Sequence, residues 1–240
     1  MPFSYYEVYI TCLRAFNGMG FPYGADEDAA YLTTWLELHK LKGINRLAQL
    51  SNIIDNKFNA KIDLEKIRSS SSIDLQNISL LMKGPGLFDY FYQKTKKNHC
   101  LKVVLENCID PIFVIPLAQR LAEKLDFISA RWLSGKSKKI GMNIVKNKVE
   151  VGELDDDISM LGKQVILHFV KNNETSQIEK LKLCKIEYEI NESTKQKNLE
   201  ESLNPNVDDW NIVSNLACRT FVSISEESRK KGAGGGDDND

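Results

Sequence analysis

Near the start of the chain, Tyr6, Tyr9, Ile10, Leu13 and Phe16 recur at steps of three and four residues. That spacing places them on one face of a helix. NGMGFPYG ends it, because Gly18 and Gly20 can take left-handed backbone and Pro22 cannot continue a helix. ADEDAAYLTTWLELHKLKG predicts a second helix: Asp26, Glu27 and Asp28 suit its positive amino end and Gly43 suits its stop. Ala29, Leu32 and Leu36 form one stripe, and Tyr31, Trp35 and Leu38 another, so this helix should be covered on two sides. INRLAQLSNIID predicts a third helix with Ile44, Leu47, Leu50 and Ile54 inward.

The pattern weakens from Phe58 to Ile78. RSSSSIDLQN reads as a polar surface loop and KGPG at 83–86 as a turn. LFDYFYQKTKK fits either a short helix or a strand. Beyond residue 100 the period changes. LKVVLEN predicts a strand, and PIFVIPLAQRLAEKL a short apolar run followed by a helix that tolerates Pro116 in its first turn. DFISARWLS alternates Phe127, Ser129 and Arg131 with Ile128, Ala130 and Trp132; KIGMNIVKNKVEVGE, KQVILHFVKN and LKLCKIEYEI continue the strands. NESTKQKNLEESLNPN reads as a linker or surface excursion. VDDWNIVSNLACRTFV predicts a last helix burying Trp210, Val213, Leu216 and Ala217. The sum is an α+β fold: an amino-terminal helical part, then a mainly antiparallel sheet with packed helices, then a glycine-rich carboxy-terminal tail. The chain divides into 1–57, 58–100, 101–231 and 232–240, as parts of one domain.

Composition narrows the function classes. The 240 residues carry 32 Lys plus Arg against 33 Asp plus Glu. That balance argues against non-specific nucleic-acid binding, which needs a basic surface. IDPIFVIPLAQRL, the most apolar stretch, is too short for a membrane span and holds two prolines. The amino terminus lacks the basic lead of a signal peptide. Five scattered cysteines, Cys12, Cys100, Cys108, Cys184 and Cys218, read as reduced thiols, so a cytoplasmic location is expected.

His39, His99 and His168 show no metal-ligand spacing, and no metal site is expected. His39 reads as a helix cap or surface residue, His168 as a satisfied or exposed strand residue and His99 as a loop residue. His99 and Cys100 are adjacent in extended chain and point apart, which disfavours a dyad between them. LSGKSKKIG reads as a charged hairpin turn, and GELDDDISM, with Asp155 to Asp157, as a solvated turn.

Two blocks are more distinctive. In GMGFPYGADEDAAYLTTWL, Phe21 and Tyr23 bracket Pro22 among glycines, just ahead of a helix. Backbone N–H groups there could approach an anion, but three acidic residues follow, and a tight turn with an aromatic plug is the plainer reading. The chain closes on CRTFVSISEESRKKGAGGGDDND. Together the blocks resemble DUF3726, a bacterial family of unknown function. The matching positions are Gly20, Pro22, Tyr23, Gly24, Glu27, Trp35 and Leu36, then Arg219, Thr220, Ser225, Glu226, Ser228, Arg229, Gly232, Gly234, Asp238, Asn239 and Asp240. The middle of the chain matches in style alone, and SISEES lacks the proline expected before the family's Ser-Glu.

A resemblance that runs to the final residues implies that the tail is more than a frayed end. The first expectation is a cytoplasmic bacterial protein that binds a small anionic metabolite, a carboxylate or phosphate, with enzymatic action on it as an extension. Arg219 and Arg229 would grip the anion through planar guanidinium forks. Ser225, Ser228, Gly232, Gly234 and Tyr23 complete the candidate ligand-binding set. Glu226 and Asp238 are the weak catalytic candidates, as acid or base. No cofactor is specified. The alternative is an accessory subunit whose Gly/Asp-rich tail docks in a partner or a symmetry mate. The plainest reading is a domain whose termini complete the fold.

Overall fold

In the computed structural model, which describes residues 2–135, 137–154, 160, 162–171 and 180–221, Ser4 opens the first helix, α1 (Tyr5–Gly18). The Ser4 hydroxyl accepts from the Glu7 N–H, and the Glu7 carboxylate accepts from the Ser4 N–H at 2.7 Å. Two of the unpaired amides at the helix start are thereby satisfied. The helix is where the periodicity predicts it, but its fully buried face is Val8, Cys12, Ala15 and Phe16, while Tyr6 is 69% exposed. The face is rotated from the expected stripe because small Cys12 and Ala15 allow closer approach of neighbouring helices than large tyrosines do.

Those neighbours are α2 (Ala25–Leu38) and α8 (Val207–Cys218); α3 (Gly43–Ile54) packs on both of them. A Cβ on Gly18 would sit 2.4 Å from the Leu216 carbonyl oxygen, so α1 and α8 touch backbone to backbone. Gly43 does not stop α2. Left-handed Lys40 and Lys42 make the corner, and Gly43 opens α3, where a Cβ would sit 2.0 Å from the Thr33 carbonyl oxygen. The two ends of this helical unit also pair as chain: Phe3 and Leu203 exchange backbone hydrogen bonds, and Phe3 stacks on Trp210 at 4.1 Å.

The sheet contains β1 (Ser72–Asp74), β2 (Cys100–Glu106), β3 (Phe127–Ser134), β4 (Lys138–Val145), β5 (Lys148–Leu154), β6 (Val165–Val170) and β7 (Leu183–Ile190). Its order is β1-β2-β6-β3-β4-β5-β7; β1 is parallel to β2 and the other pairs are antiparallel. Register puts Ile128 opposite both Ile144 and Phe169, which lines up one apolar face across the sheet. Helices α5 (Leu80–Asn98) and α6 (Val114–Gln119) cover that face, with Phe88 and Phe91 within 5.8 Å of the Phe169 ring. The α+β class is therefore observed.

Three local expectations change. KGPG is not a turn: it lies inside α5, which also settles LFDYFYQKTKK as helix. Gly84 is there for contact, since a Cβ would meet Leu117 of α6 at 2.5 Å. Pro85 is carried at the cost of one intrahelical bond to Leu81. The Ser-rich stretch holds the end of α4 (Leu64–Ser69) and all of β1. The supposed linker forms α7 (Glu192–Glu200), a helix with no buried residue, held by a reciprocal Asn191–Thr194 cap. LKLCKIEYEI gives the expected strand, and β7 is an exposed edge guarded by charge, with Lys148 on Glu189 at 3.0 Å. Among the described residues no helix is long and apolar enough to cross a membrane.

Candidate functional site: a cationic cleft beside Asp110

The chain leaves β2 through left-handed Asn107 and enters the apolar run that follows. Asp110 lies at the start of that run, beside Pro111, and is carried into the interior with it. Its carboxylate meets the start of α5. Ser79, the N-cap, donates its hydroxyl to Oδ2 of Asp110, and the Leu80 N–H donates to Oδ1 at 3.1 Å. Ser79 Oγ in turn accepts from the Leu81 N–H at 3.1 Å. Burial disfavours the charged carboxylate, while these donors favour it. Burial wins, and the Asp110 pKa is pushed up to about 6. Cys108, two residues earlier, is also raised, first by burial and then by the Asp110 charge, so it is an inert thiol at neutral pH.

A cleft of about 290 Å³ opens beside this group. Helix α3 supplies Arg46 and Gln49, the end of β3 supplies Trp132 and Ser134, and the turn before β6 supplies Lys163. The Lys163 carbonyl accepts from the Cys108 N–H at 2.9 Å, which ties that turn to the Asp110 segment. Among the described residues the cationic ends have neutral partners: Arg46 donates to Gln49 Oε1 at 3.3 Å and Lys163 to Asn77 Oδ1 at 2.9 Å. Among the described residues, neither forms an ion pair. The cleft therefore joins two cations, one buried carboxyl group that titrates near neutral pH, and an indole wall. Such a set can hold an anion and exchange a proton with it.

Arg219, expected to bind an anion, follows α8 and grips the Asp55 carboxylate at 2.7 and 2.9 Å. Its Cβ lies close to Gly18, so the start of the closing block does meet the end of α1. Tyr23 is 92% exposed in a turn whose glycines, Gly20 and Gly24, have φ of 81° and 87°. The plug is Phe21, buried 4.9 Å from both Phe16 and Phe58. Neither Arg219 nor Tyr23 lines the cleft beside Asp110. Ser225, Glu226, Ser228, Arg229, Gly232, Gly234 and Asp238 lie outside the described residues, as do Asp155 to Asp157.

Cys100 has a histidine partner, though not His99: its Sγ lies 3.1 Å from Nε2 of His168 on β6. His39 closes α2, but it is buried and rests on Trp35 at 4.2 Å between centroids. Burial, then the nearby Lys195, lowers its pKa to about 4. Among the described residues no three His, Cys, Asp or Glu side chains gather as a metal site would require. Arg46, Asp110 and Lys163 were not singled out by sequence reasoning. A lone carboxylate inside the most apolar run was the available signal for Asp110; nothing local marks the two cations.

Residues 3–76 match the family described as protein of unknown function (DUF3726). This match contains the opening block on which the resemblance rests, and the closing block lies beyond it. No curated protein matches the sequence. Several solved structures share the fold. An E. coli protein assigned as a malate/lactate dehydrogenase aligns with TM-score 0.61 and 10% identity, covering 96% of this chain and 98% of that one. A dehydrogenase from Sinorhizobium meliloti aligns at 0.57 and 9%, covering 90% and 99%. Sulfolactate dehydrogenase from Methanocaldococcus jannaschii aligns at 0.53 and 10%, covering 91% and 96%. At such identities the likeness is one of fold.

Proposed function

We propose that the chain binds a small anionic metabolite, a carboxylate or phosphate, in the cleft beside Asp110, and that Asp110 exchanges a proton with it. The observation that carries this reading is the pairing of Arg46 and Lys163, two cations with neutral partners, at a cleft shared with a buried carboxyl group. A carboxylate or phosphate would give both cations the charged partner that they lack among the described residues. A volume of about 290 Å³ suits a molecule of few heavy atoms. An acid whose pKa is about 6 is populated in both forms near neutrality, as a proton-transfer group must be. Two of the solved structures of similar fold are named for malate/lactate and sulfolactate, all small anions, and this supports the choice of ligand class.

The test is a thermal-shift titration at low salt with malate, lactate and inorganic phosphate, on the full chain and on an Arg46→Gln/Lys163→Gln double variant. A ligand at a hundred times its Kd adds about 2.7 kcal/mol, a readily measured rise in Tm. The expected result is a rise with at least one anion in the parent chain and none in the double variant. Equal responses in the two chains, or none in the parent, would overturn the reading.

A further inference from the structure

A second cleft, of about 550 Å³, is walled by the segment before α4, by β1 and by the second turn of α5. Its lining is mixed: Ile62, Ile73, Leu75 and Leu87 give it an apolar part, polar side chains make up the rest, and Lys83 of α5 lines it with them. Lys83 is only 7% exposed. Most lysines reach such burial only with an ion pair, because an isolated ammonium is costly to desolvate. Among the described residues no carboxylate lies within ion-pair distance of Nζ, and no hydrogen bond engages it. Asp74 on β1 lines the same cleft, but its carboxylate already accepts from Asn107 Nδ2 and from the Gln76 N–H, both at 2.8 Å. Lys61 and Asp63 line it from the segment before α4. Burial lowers the Lys83 pKa, and the more distant Asp74 charge only partly opposes this. A long side chain packed for its methylenes would normally carry its ammonium out to water or to an anion. Here a buried lysine without such a partner among the described residues lines a cleft large enough for a small molecule.

We propose that Lys83 is an amine nucleophile that captures an oxo acid in this cleft as an imine. The free Nζ electron pair attacks the carbonyl carbon, and the C=O π pair moves to oxygen. A proton passes from nitrogen to that oxygen to give a carbinolamine, which loses water to give the imine; hydrolysis reverses the sequence. No oxidant or reductant is needed. Lys61 at the same cleft supplies positive charge for the carboxylate of such a compound, while burial of Lys83 disfavours its charged form and so favours the nucleophilic amine.

The test uses the intact chain with glyoxylate and cyanoborohydride, which traps any imine as a stable secondary amine. Peptide mass spectrometry then measures the labelling rate of each lysine near pH 7. Lys96 and Lys97, exposed on the same helix, are the internal references. Lys83 should label several times faster than either, and its advantage should shrink toward pH 10 as the exposed amines also lose their protons. In urea the advantage should vanish. Labelling of Lys83 no faster than Lys96 and Lys97 in the folded chain would overturn the proposal, as would an advantage that survives urea. A Lys83→Arg variant with unchanged circular dichroism should lose that adduct while Lys96 and Lys97 label as before.

Discussion

Replacing Asp110 by Asn tests the balance between burial and hydrogen bonding at the centre of the candidate site. Asn keeps the shape. Its oxygen can still accept from the Leu80 N–H, and its amide can donate to the Ser79 oxygen. What it lacks is the titration. The Asp110 pKa rises from 3.8 to about 6 on folding, so the folded chain prefers the protonated form. For a group raised in this way, the stabilising contribution is complete below pH 3.8 and is lost as pH climbs through about 6. A rise of that size corresponds to roughly 3 kcal/mol. Asp110→Asn should therefore match the parent near pH 4 and exceed it by up to about 3 kcal/mol at pH 7 to 8. Urea denaturation across that range reads this directly, as a difference between the two chains that grows with pH. The competing force is attraction between a carboxylate and the amino end of α5, ordinarily about 0.3–1 kcal/mol. If the variant were less stable at pH 7 than at pH 4 relative to the parent, the charge would be holding the helix and the argument from burial would fail. A gain in stability joined to a loss of turnover would fit a proton-transfer residue that the fold tolerates at a cost.

Three further outcomes follow from contacts elsewhere. Gly43→Ala would place a Cβ 2.0 Å from the Thr33 carbonyl oxygen and 2.9 Å from the Glu37 nitrogen, both backbone, so α2 and α3 must separate. A loss above about 3 kcal/mol in urea denaturation is expected, and one below about 1 would mean the corner yields easily. Phe169→Ala would open a cavity between Phe88, Phe91 and the sheet, and should cost about 3–5 kcal/mol in the same assay. Arg219→Ala breaks a half-exposed clamp on Asp55 and should cost about 1 kcal/mol or less, nearly all of it absent in an Asp55→Ala background; additive losses in the double-mutant cycle would show that the pair is not coupled.

What was legible in the sequence follows from how each element earns its burial. Helices α2, α3 and α8 and strands β2 to β6 carry apolar periodicities that survive packing, so their existence could be read directly. The phase of α1 could not, because small Cys12 and Ala15 matter there through backbone proximity, which no hydrophobic pattern records. KGPG misled for the same reason: Gly84 permits contact with Leu117 where a turn would need it for left-handed backbone. Helix α7 has no apolar stripe at all, which is why its stretch reads as a linker; the capping pair Asn191 and Thr194 was the signal that reading passed over.

The candidate sites divide along the same line. Arg46, Asp110 and Lys163 come from three separate stretches and meet only through tertiary packing, with the Lys163 carbonyl bonded to the Cys108 N–H. Yet two of the groups with the sharpest chemistry share a mark that a sequence can show. Asp110 interrupts the most apolar run of the chain, and Lys83 falls on the buried side of an amphipathic helix beside residues placed for close packing. Each breaks the local rule that charge faces water. A fold that keeps such a residue inside must offset its desolvation, or let it lose its charge, and both groups shift in that second direction. Departures from local pattern therefore point to reactive groups here, whereas the arginine that the terminal motif emphasised, Arg219, is occupied in holding two helices together.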